Sequence, residues 1–279
     1  METEKQSFIY ILSLTVVSII ALALNLIGII PASLVSAGWV AVFFAALLVF
    51  IVWHFTHEQG WIKSLFMLPI LFLVPFAAEI LGVKSGLIFG PYRYTEKLGP
   101  CVFGTPVMIG FAWIIILYAS FSLVNVLALP WNSRFDSSLK RFSFQAVPAL
   151  AGAIAATAWD MMMDPVAVAA GWWVWLAPGA YVPYIGGGIP VHNFIGWLGV
   201  AFVCQLICRL SISPESRTRS RRFAHYGAIA LYFYLFISSE AYVLVTLGRP
   251  EIALVGALSM GSLLAIAIVR VIAGSYTCD

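Results

Sequence analysis

Charged residues are scarce in this sequence. Asp, Glu, Lys and Arg make up 10% of the 279 residues, whereas hydrophobic residues make up 62%. A soluble protein of this size cannot cover so much apolar surface with so few charges, but a lipid bilayer solvates that surface directly. No polar stretch is longer than a loop, so we expect one integral membrane domain over residues 1–279.

Alternation of polar and apolar residues is also missing from the hydrophobic segments, which are continuous runs. Continuous runs favour membrane helices over the strands of a membrane barrel. A span needs roughly 20 apolar residues. We therefore predict an all-α, polytopic transmembrane helix bundle of about eight spans, near residues 8–30, 36–53, 62–82, 107–129, 144–163, 191–210, 223–246 and 250–271.

One apolar stretch, Pro165 to Ala177, is too short to be a further span. It is followed by a segment rich in Gly, Pro and Tyr that ends at Pro190. We predict a re-entrant or interfacial element over 165–190.

The cysteines do not show the spacing of a metal site or a redox pair. Cys101, Cys204, Cys208 and Cys278 form no CxxC motif. We expect them to be small core residues.

The distribution of positive charge predicts the topology. With eight spans, only Lys84, Arg93, Lys97 and Arg249 fall on the side opposite to both termini. The positive-inside rule then places both termini in the cytoplasm of a cell-membrane protein. The basic run 217–222 fits a cytoplasmic loop that contacts anionic lipid, so we do not expect a nucleic acid partner.

The predicted topology gathers polar residues at the outer membrane face. Asp160 and Asp164 lie four residues apart and share a helical face. The same level is reached by further polar side chains on other spans, namely Glu79, Glu240, His192 and Asn193. Carboxylates inside a membrane cost roughly 2.5–3.5 kcal/mol each on insertion scales, so such acids are rare without a role.

Each of these residues also has a structural alternative. Asp164 precedes Pro165 and can simply end a helix, and Glu79 can pair with Lys84 or Arg93. Glu240 follows two serines and fits a structural role, while His192 fits a polar interface residue better than a metal ligand.

Aromatic residues are concentrated in the two outer loops. In the first loop, Tyr92 and Tyr94 project to one side if the chain is extended, with Arg93 between them. The second loop carries Trp172, Trp173, Trp175, Tyr181 and Tyr184. These residues fit an interfacial aromatic belt, or they stabilise a positive charge beside the carboxylates.

Three motifs in this region resemble one family. FGPYRYTEKLGP…FGTPVMIGFAW (89–113), AWDMMMDP (158–165) and GIPVHNFIGW (188–197) occur in order, and the resemblance runs from about Glu79 to Trp197. They are similar to the carotenoid biosynthesis protein family of integral membrane proteins, whose members include hydratases of acyclic carotenoid ends.

The resemblance implies addition of water across a terminal C=C of an acyclic carotenoid, a reaction that needs no redox cofactor. It implies a polyene substrate, water, membrane lipid and other enzymes of the same pathway as partners. Such chemistry requires a protonated carboxylic acid and a second carboxylate to accept a proton. We expect Asp160 to be the acid and Asp164 or Glu79 its partner. The expected substrate-binding residues are Tyr92, Arg93, Tyr94, Trp159, Trp172 and Asn193.

Two other functions remain open from the sequence. Asp160 and Asp164 could hold Mg²⁺ and a diphosphate in an isoprenoid transferase or cyclase, although we expect no metal. The non-enzymatic alternative is a transporter or a carotenoid-binding protein, and a proton-coupled transporter would also need buried acids. A transporter of that kind often shows two matching halves, and the sequence shows no clear internal repeat.

Overall fold

The computed structural model describes residues 38–127, 138–211 and 221–275, together with Gln6, Ile9, Tyr10, Ser13 and Val17. Most of this chain is helical. The helices are α1 Gly38–Gln59, α2 Trp61–Ser85, α3 Val107–Leu127, α4 Ser138–Ala170, α5 Val191–Ser211, α6 Arg221–Tyr242, α7 Pro250–Gly256 and α8 Ser262–Ser275. One π-helical segment, Val243–Leu247, continues α6, and another, Ala257–Gly261, joins α7 to α8.

The predicted fold class is confirmed. Among the described residues, six helical segments are long and apolar enough to cross a membrane: Trp61–Ser85, Val107–Leu127, Lys140–Ala170, Val191–Ser211, His225–Val245 and Pro250–Ala273. Helix α1 corresponds to the second predicted span. The first predicted span, 8–30, lies almost entirely outside the described residues.

Short strands and turns connect the helices at the outer face predicted from the charge distribution. Strand β1 (Tyr92–Tyr94) pairs antiparallel with β4 (Trp173–Trp175), which joins two loops that are far apart in sequence. A smaller hairpin pairs β2 (Cys101–Val102) with β3 (Thr105–Pro106), just before α3. We call the β1–β4 pair the outer ribbon.

Residues 165–190 differ from the prediction in one respect. They contain no further spanning helix, as expected, but their first part belongs to α4, which continues through Pro165 to Ala170. Proline has no N–H, so the carbonyl of Met161 loses its usual helical donor. The Tyr181 hydroxyl donates to that carbonyl at 2.9 Å, which lets the helix continue and ties the following loop to it.

The cysteines are not all core residues. Cys204 and Cys208 are buried within α5, but Cys101 is an exposed thiol. Its exposure follows from its place in β2, a surface hairpin strand with both residues exposed. Cys278 lies outside the described residues.

The most extensive helix pairing in the bundle is that of α4 with α5, and α2 and α3 pack beside it. The outer ends of these helices meet below the outer ribbon. This arrangement brings the polar residues of three different helices to one place.

Candidate functional site

A cavity lies between the outer ends of α2, α3, α4 and α5, against the outer ribbon. Three carboxylates line it: Glu79 from α2, and Asp160 and Asp164 from α4. They are buried, with 4%, 2% and 1% of their surface exposed. Among the described residues that line the cavity there is no Lys, Arg or His.

Glu79 is held by three hydrogen-bond donors. The Trp113 indole N–H donates to Oε1 at 2.9 Å. The hydroxyls of Tyr92 and Tyr94 both donate to Oε2, the latter at 2.8 Å. An ionised carboxylate only accepts hydrogen bonds, so this set of donors matches a charged Glu79.

The two tyrosines can supply these bonds because they stay neutral. Burial raises the pKa of the Tyr92 phenol far above its usual range, and the nearby Glu79 carboxylate raises it further. The same two causes act on the pKa of Tyr94. Both side chains therefore remain O–H donors at any physiological pH.

Asp160 and Asp164 share one amide group. Asn193 Nδ2, at the start of α5, donates to Oδ2 of both aspartates at 2.7 Å. Because both oxygens contact the same nitrogen, the two carboxyl groups lie close together. This confirms that the four-residue spacing places them on one face of the helix.

The two aspartates differ in their other contacts. Oδ1 of Asp164 accepts from the indole N–H groups of Trp173 at 2.8 Å and Trp175 at 3.2 Å. Within the described part of the chain, Asp160 accepts only the bond from Asn193. Asp164 thus has the donor set of a carboxylate, while Asp160 keeps an oxygen that can carry a proton.

The outer ribbon supplies four of these donors from one face. Tyr92 lies opposite Trp175, and Tyr94 lies opposite Trp173. Side chains alternate between the faces of a strand, so the residues at both ends of each strand point to the cavity. Arg93, in the middle of β1, points away.

Aromatic rings form much of the cavity wall. Trp113 and Trp197 stack with ring centroids 3.8 Å apart, and Trp159 packs beside Trp197 at 6.1 Å. Six tryptophans line the cavity in total: Trp113, Trp159, Trp172, Trp173, Trp175 and Trp197. Phe44, Phe89 and several aliphatic residues complete the lining.

The structure brings together most of the residues singled out in the sequence. Eight of the nine expected catalytic and substrate-binding residues line the cavity: Glu79, Tyr92, Tyr94, Trp159, Asp160, Asp164, Trp172 and Asn193. Arg93 is exposed and does not line it. His192 is also exposed. Glu240 is buried elsewhere, close to the space around Gly256 and Met162.

The observed contacts of Glu79 and Asp164 differ from the structural roles that the sequence also allows for them. Glu79 bonds to Trp113 and the two tyrosines, whereas Lys84 lies over the Phe103 ring at 4.6 Å. Asp164 does not end its helix, because α4 continues to Ala170.

Sequence reasoning misses two kinds of residue. Trp113 and Trp197 lie in apolar helical runs. In such runs the sequence pattern does not distinguish an indole that donates to a carboxylate from one that only packs. The sequence identifies Trp173 and Trp175 only as aromatic loop residues. Their two-residue spacing, which matches that of Tyr92 and Tyr94, is the signal that could indicate paired strands.

A family model described as carotenoid biosynthesis protein matches residues 37–263. The chain belongs to this family. It is therefore a carotenoid biosynthesis protein of the membrane, with several long apolar helices.

One curated relative is the bisanhydrobacterioruberin hydratase of Haloarcula japonica. The two sequences are 31% identical over 142 residues, which cover 49% of this chain and 42% of the relative. The chain thus matches less than half of that relative's length. No solved structure matches the chain significantly.

The arrangement suits acid–base chemistry on an apolar substrate. It combines carboxyl groups with unequal donor sets, aromatic faces and mostly apolar walls. Among the described residues, no group of three or more His, Cys, Asp or Glu side chains has the arrangement of a metal site.

Proposed function

We propose that this protein adds water across a terminal C=C of an acyclic carotenoid. The observation that carries the proposal is the contrast among the three carboxyl groups of one cavity. Glu79 and Asp164 each accept bonds from three donors, whereas Asp160 accepts one. An acid and a base are thereby supplied side by side.

In the proposed reaction, Asp160 gives its proton to the less substituted carbon of the terminal alkene. The electron pair of the C=C forms the new C–H bond and leaves a tertiary cation. The faces of Trp159 and the Trp113–Trp197 stack stabilise that positive charge. The carboxylates add to this stabilisation in a site of low dielectric.

Water then attacks the cation and forms the C–O bond. Asp164 accepts the proton that the bound water loses, and this proton returns to the neighbouring Asp160 to complete the cycle. The net change is one water added and no electrons gained or lost, so no redox cofactor takes part. Asn193 holds the two aspartates in place for this exchange.

The cavity also supports this function over the alternatives. A diphosphate would meet three carboxyl groups, two of them with the donor sets of carboxylates, and no described lining cation. A protein that only binds a neutral polyene has no need of three buried carboxyl groups. A transporter often shows two matching halves, and the sequence shows no clear internal repeat.

The test is expression in a bacterium that makes lycopene, grown in ¹⁸O-labelled water, with mass analysis of the pigments. We expect the mass of one water to be added per modified end, with the label in the new hydroxyl group. Label from O₂ instead would identify an oxygenase. A product formed only with Mg²⁺ and a prenyl diphosphate would identify a transferase, and unchanged pigment bound to the protein would identify a binding protein.

A further inference from the structure

The cavity has the composition of a binding site for an organic cation. Its lining includes Glu79, Asp160 and Asp164, and no described lining residue carries a positive charge. The buried cationic side chain of Arg209 lies outside the cavity lining and donates to Asn125 at 2.9 Å. In the cavity, Glu79 and Asp164 accept hydrogen bonds from neutral donors only, so no described lining residue balances their negative charge.

The aromatic rings favour the same kind of ligand. The face of an indole carries a partial negative charge and attracts a cation most strongly when water is excluded. Trp113 and Trp197 form a stacked pair, and Trp159 is tilted by 59° against Trp197. Rings at different angles next to carboxylates resemble the aromatic cages that hold quaternary ammonium groups.

The other walls would accommodate an apolar tail. Met108, Ile109 and Ala112 from α3 line the cavity together with Phe44 from α1. None of these side chains offers a strong hydrogen bond. A ligand that fills the space therefore needs a compact charged end and a hydrocarbon chain.

We propose that this cavity binds amphiphiles with a quaternary ammonium or protonated tertiary amine end, and that such compounds inhibit the protein. The inhibition rests on the proposed function, because these compounds have the charge and branched shape of the tertiary cation that the reaction would form. Binding itself requires no turnover, so it is measured separately.

The experiment compares three ligands of equal chain length with the purified full chain in a neutral detergent. They are dodecyltrimethylammonium, a hydrocarbon with a neutral tert-butyl end in place of the ammonium, and dodecyl phosphate. Binding is read from tryptophan fluorescence, since six tryptophans line the cavity. We expect the ammonium compound to bind about tenfold or more tightly than its neutral counterpart, and the phosphate to bind weakest.

Variants show whether the ligand occupies this cavity. Glu79→Gln and Asp164→Asn each remove one negative charge from it and should weaken ammonium binding by about tenfold while leaving the neutral ligand unchanged. Glu251→Gln is the control, because this carboxylate is exposed near Arg249 and lies outside the cavity lining. It should bind all three ligands as the unchanged chain does.

Equal binding of the ammonium and neutral ligands overturns the proposal, and that comparison needs no variant to fold. So does ammonium binding that survives both cavity substitutions. If the protein prefers the ammonium ligand but adds no water to carotenoids, the cation site stands and the hydratase function fails. If it adds water without preferring the ammonium ligand, the hydratase function stands and the cation site fails.

Discussion

At the scale of single residues, Asp160 and Glu240 show that burial alone does not distinguish the proposed acid from an acid elsewhere in the bundle. Both carboxyl groups are buried. Asp160 faces the cavity beside Asp164, whereas Glu240 is packed against the helix surface near Gly256. Glu240 does not line the cavity, and within the described residues its Oε1 has no hydrogen-bond partner.

We predict that Asp160→Asn lowers the rate of hydration by about 10²–10⁴-fold, the usual effect of losing a positioned general acid. The amide keeps the shape and the contact with Asn193 but has no proton to give to an alkene. Folding should survive, because an uncharged amide is cheaper to bury than a carboxylate. Product formation and the amount of detergent-extracted protein are measured together.

The matched control is Glu240→Gln, which changes a buried acid outside the cavity and should leave the rate nearly unchanged. An active Asp160→Asn together with an inactive Glu240→Gln would mean that the proton donor is on α6 rather than α4.

At the scale of elements, the outer ribbon orients the carboxylates of Glu79 and Asp164 through hydrogen bonds. Its inward face donates to Glu79 from β1 and to Asp164 from β4. Its outward face carries Arg93 opposite Val174. The ribbon therefore has one face for the site and one for the surroundings.

We predict that Tyr94→Phe lowers activity by about 10–150-fold, because losing one hydrogen bond to a charged group costs about 1.5–3 kcal/mol. Arg93→Gln, one position away on the other face, should change activity by less than about twofold, since the side chain does not line the cavity. Initial rates and thermal unfolding in detergent are compared for both variants. Equal losses in the two would show that the outward face also contacts the substrate.

Some features of the outer ribbon can be predicted from the sequence, and others cannot. Alternation predicts that Tyr92 and Tyr94 share a side, because this depends on local geometry alone. Their pairing with Trp173 and Trp175 depends on contact between loops that are far apart in the chain, which no local pattern encodes.

At the scale of the whole molecule, the spans follow from hydropathy, because helix length in a membrane is set by bilayer thickness. The proximity of Glu79 to Asp160 and Asp164 is predicted from the number of spans, because that number places the three acids at the same membrane face. The extension of α4 past Pro165 does not follow from hydropathy. It depends on the Tyr181 hydroxyl, which replaces the backbone N–H that Pro165 lacks. The single domain and the cytoplasmic termini stay predictions.

We predict the topology to be readable from thiol labelling of intact cells with a membrane-impermeant maleimide. Cys101 is an exposed thiol in the outer hairpin and should be labelled from outside. In a Cys101→Ser background, Gly187→Cys should be labelled in the same way. Ser137→Cys and Ser216→Cys, both outside the described residues, should react only after the cells are opened.

Labelling of Ser137→Cys and Ser216→Cys from opposite sides would show that another span lies between them and would contradict the eight-span count. Cys204 and Cys208 are buried and should add no background in folded protein.

The length of α4 has a consequence for which bond would react. Its 33 residues extend about 50 Å at the rise of an α-helix, well beyond a hydrocarbon core of about 30 Å. Asp164 lies less than two turns from the outer end, so the acids are near the edge of the bilayer rather than at its centre. A long polyene aligned with the lipid tails would present only its tip at that depth. The depth of the acids in the bilayer would then determine which bond reacts. The terminal bond would reach them, and the conjugated middle of the polyene would stay among the lipid tails.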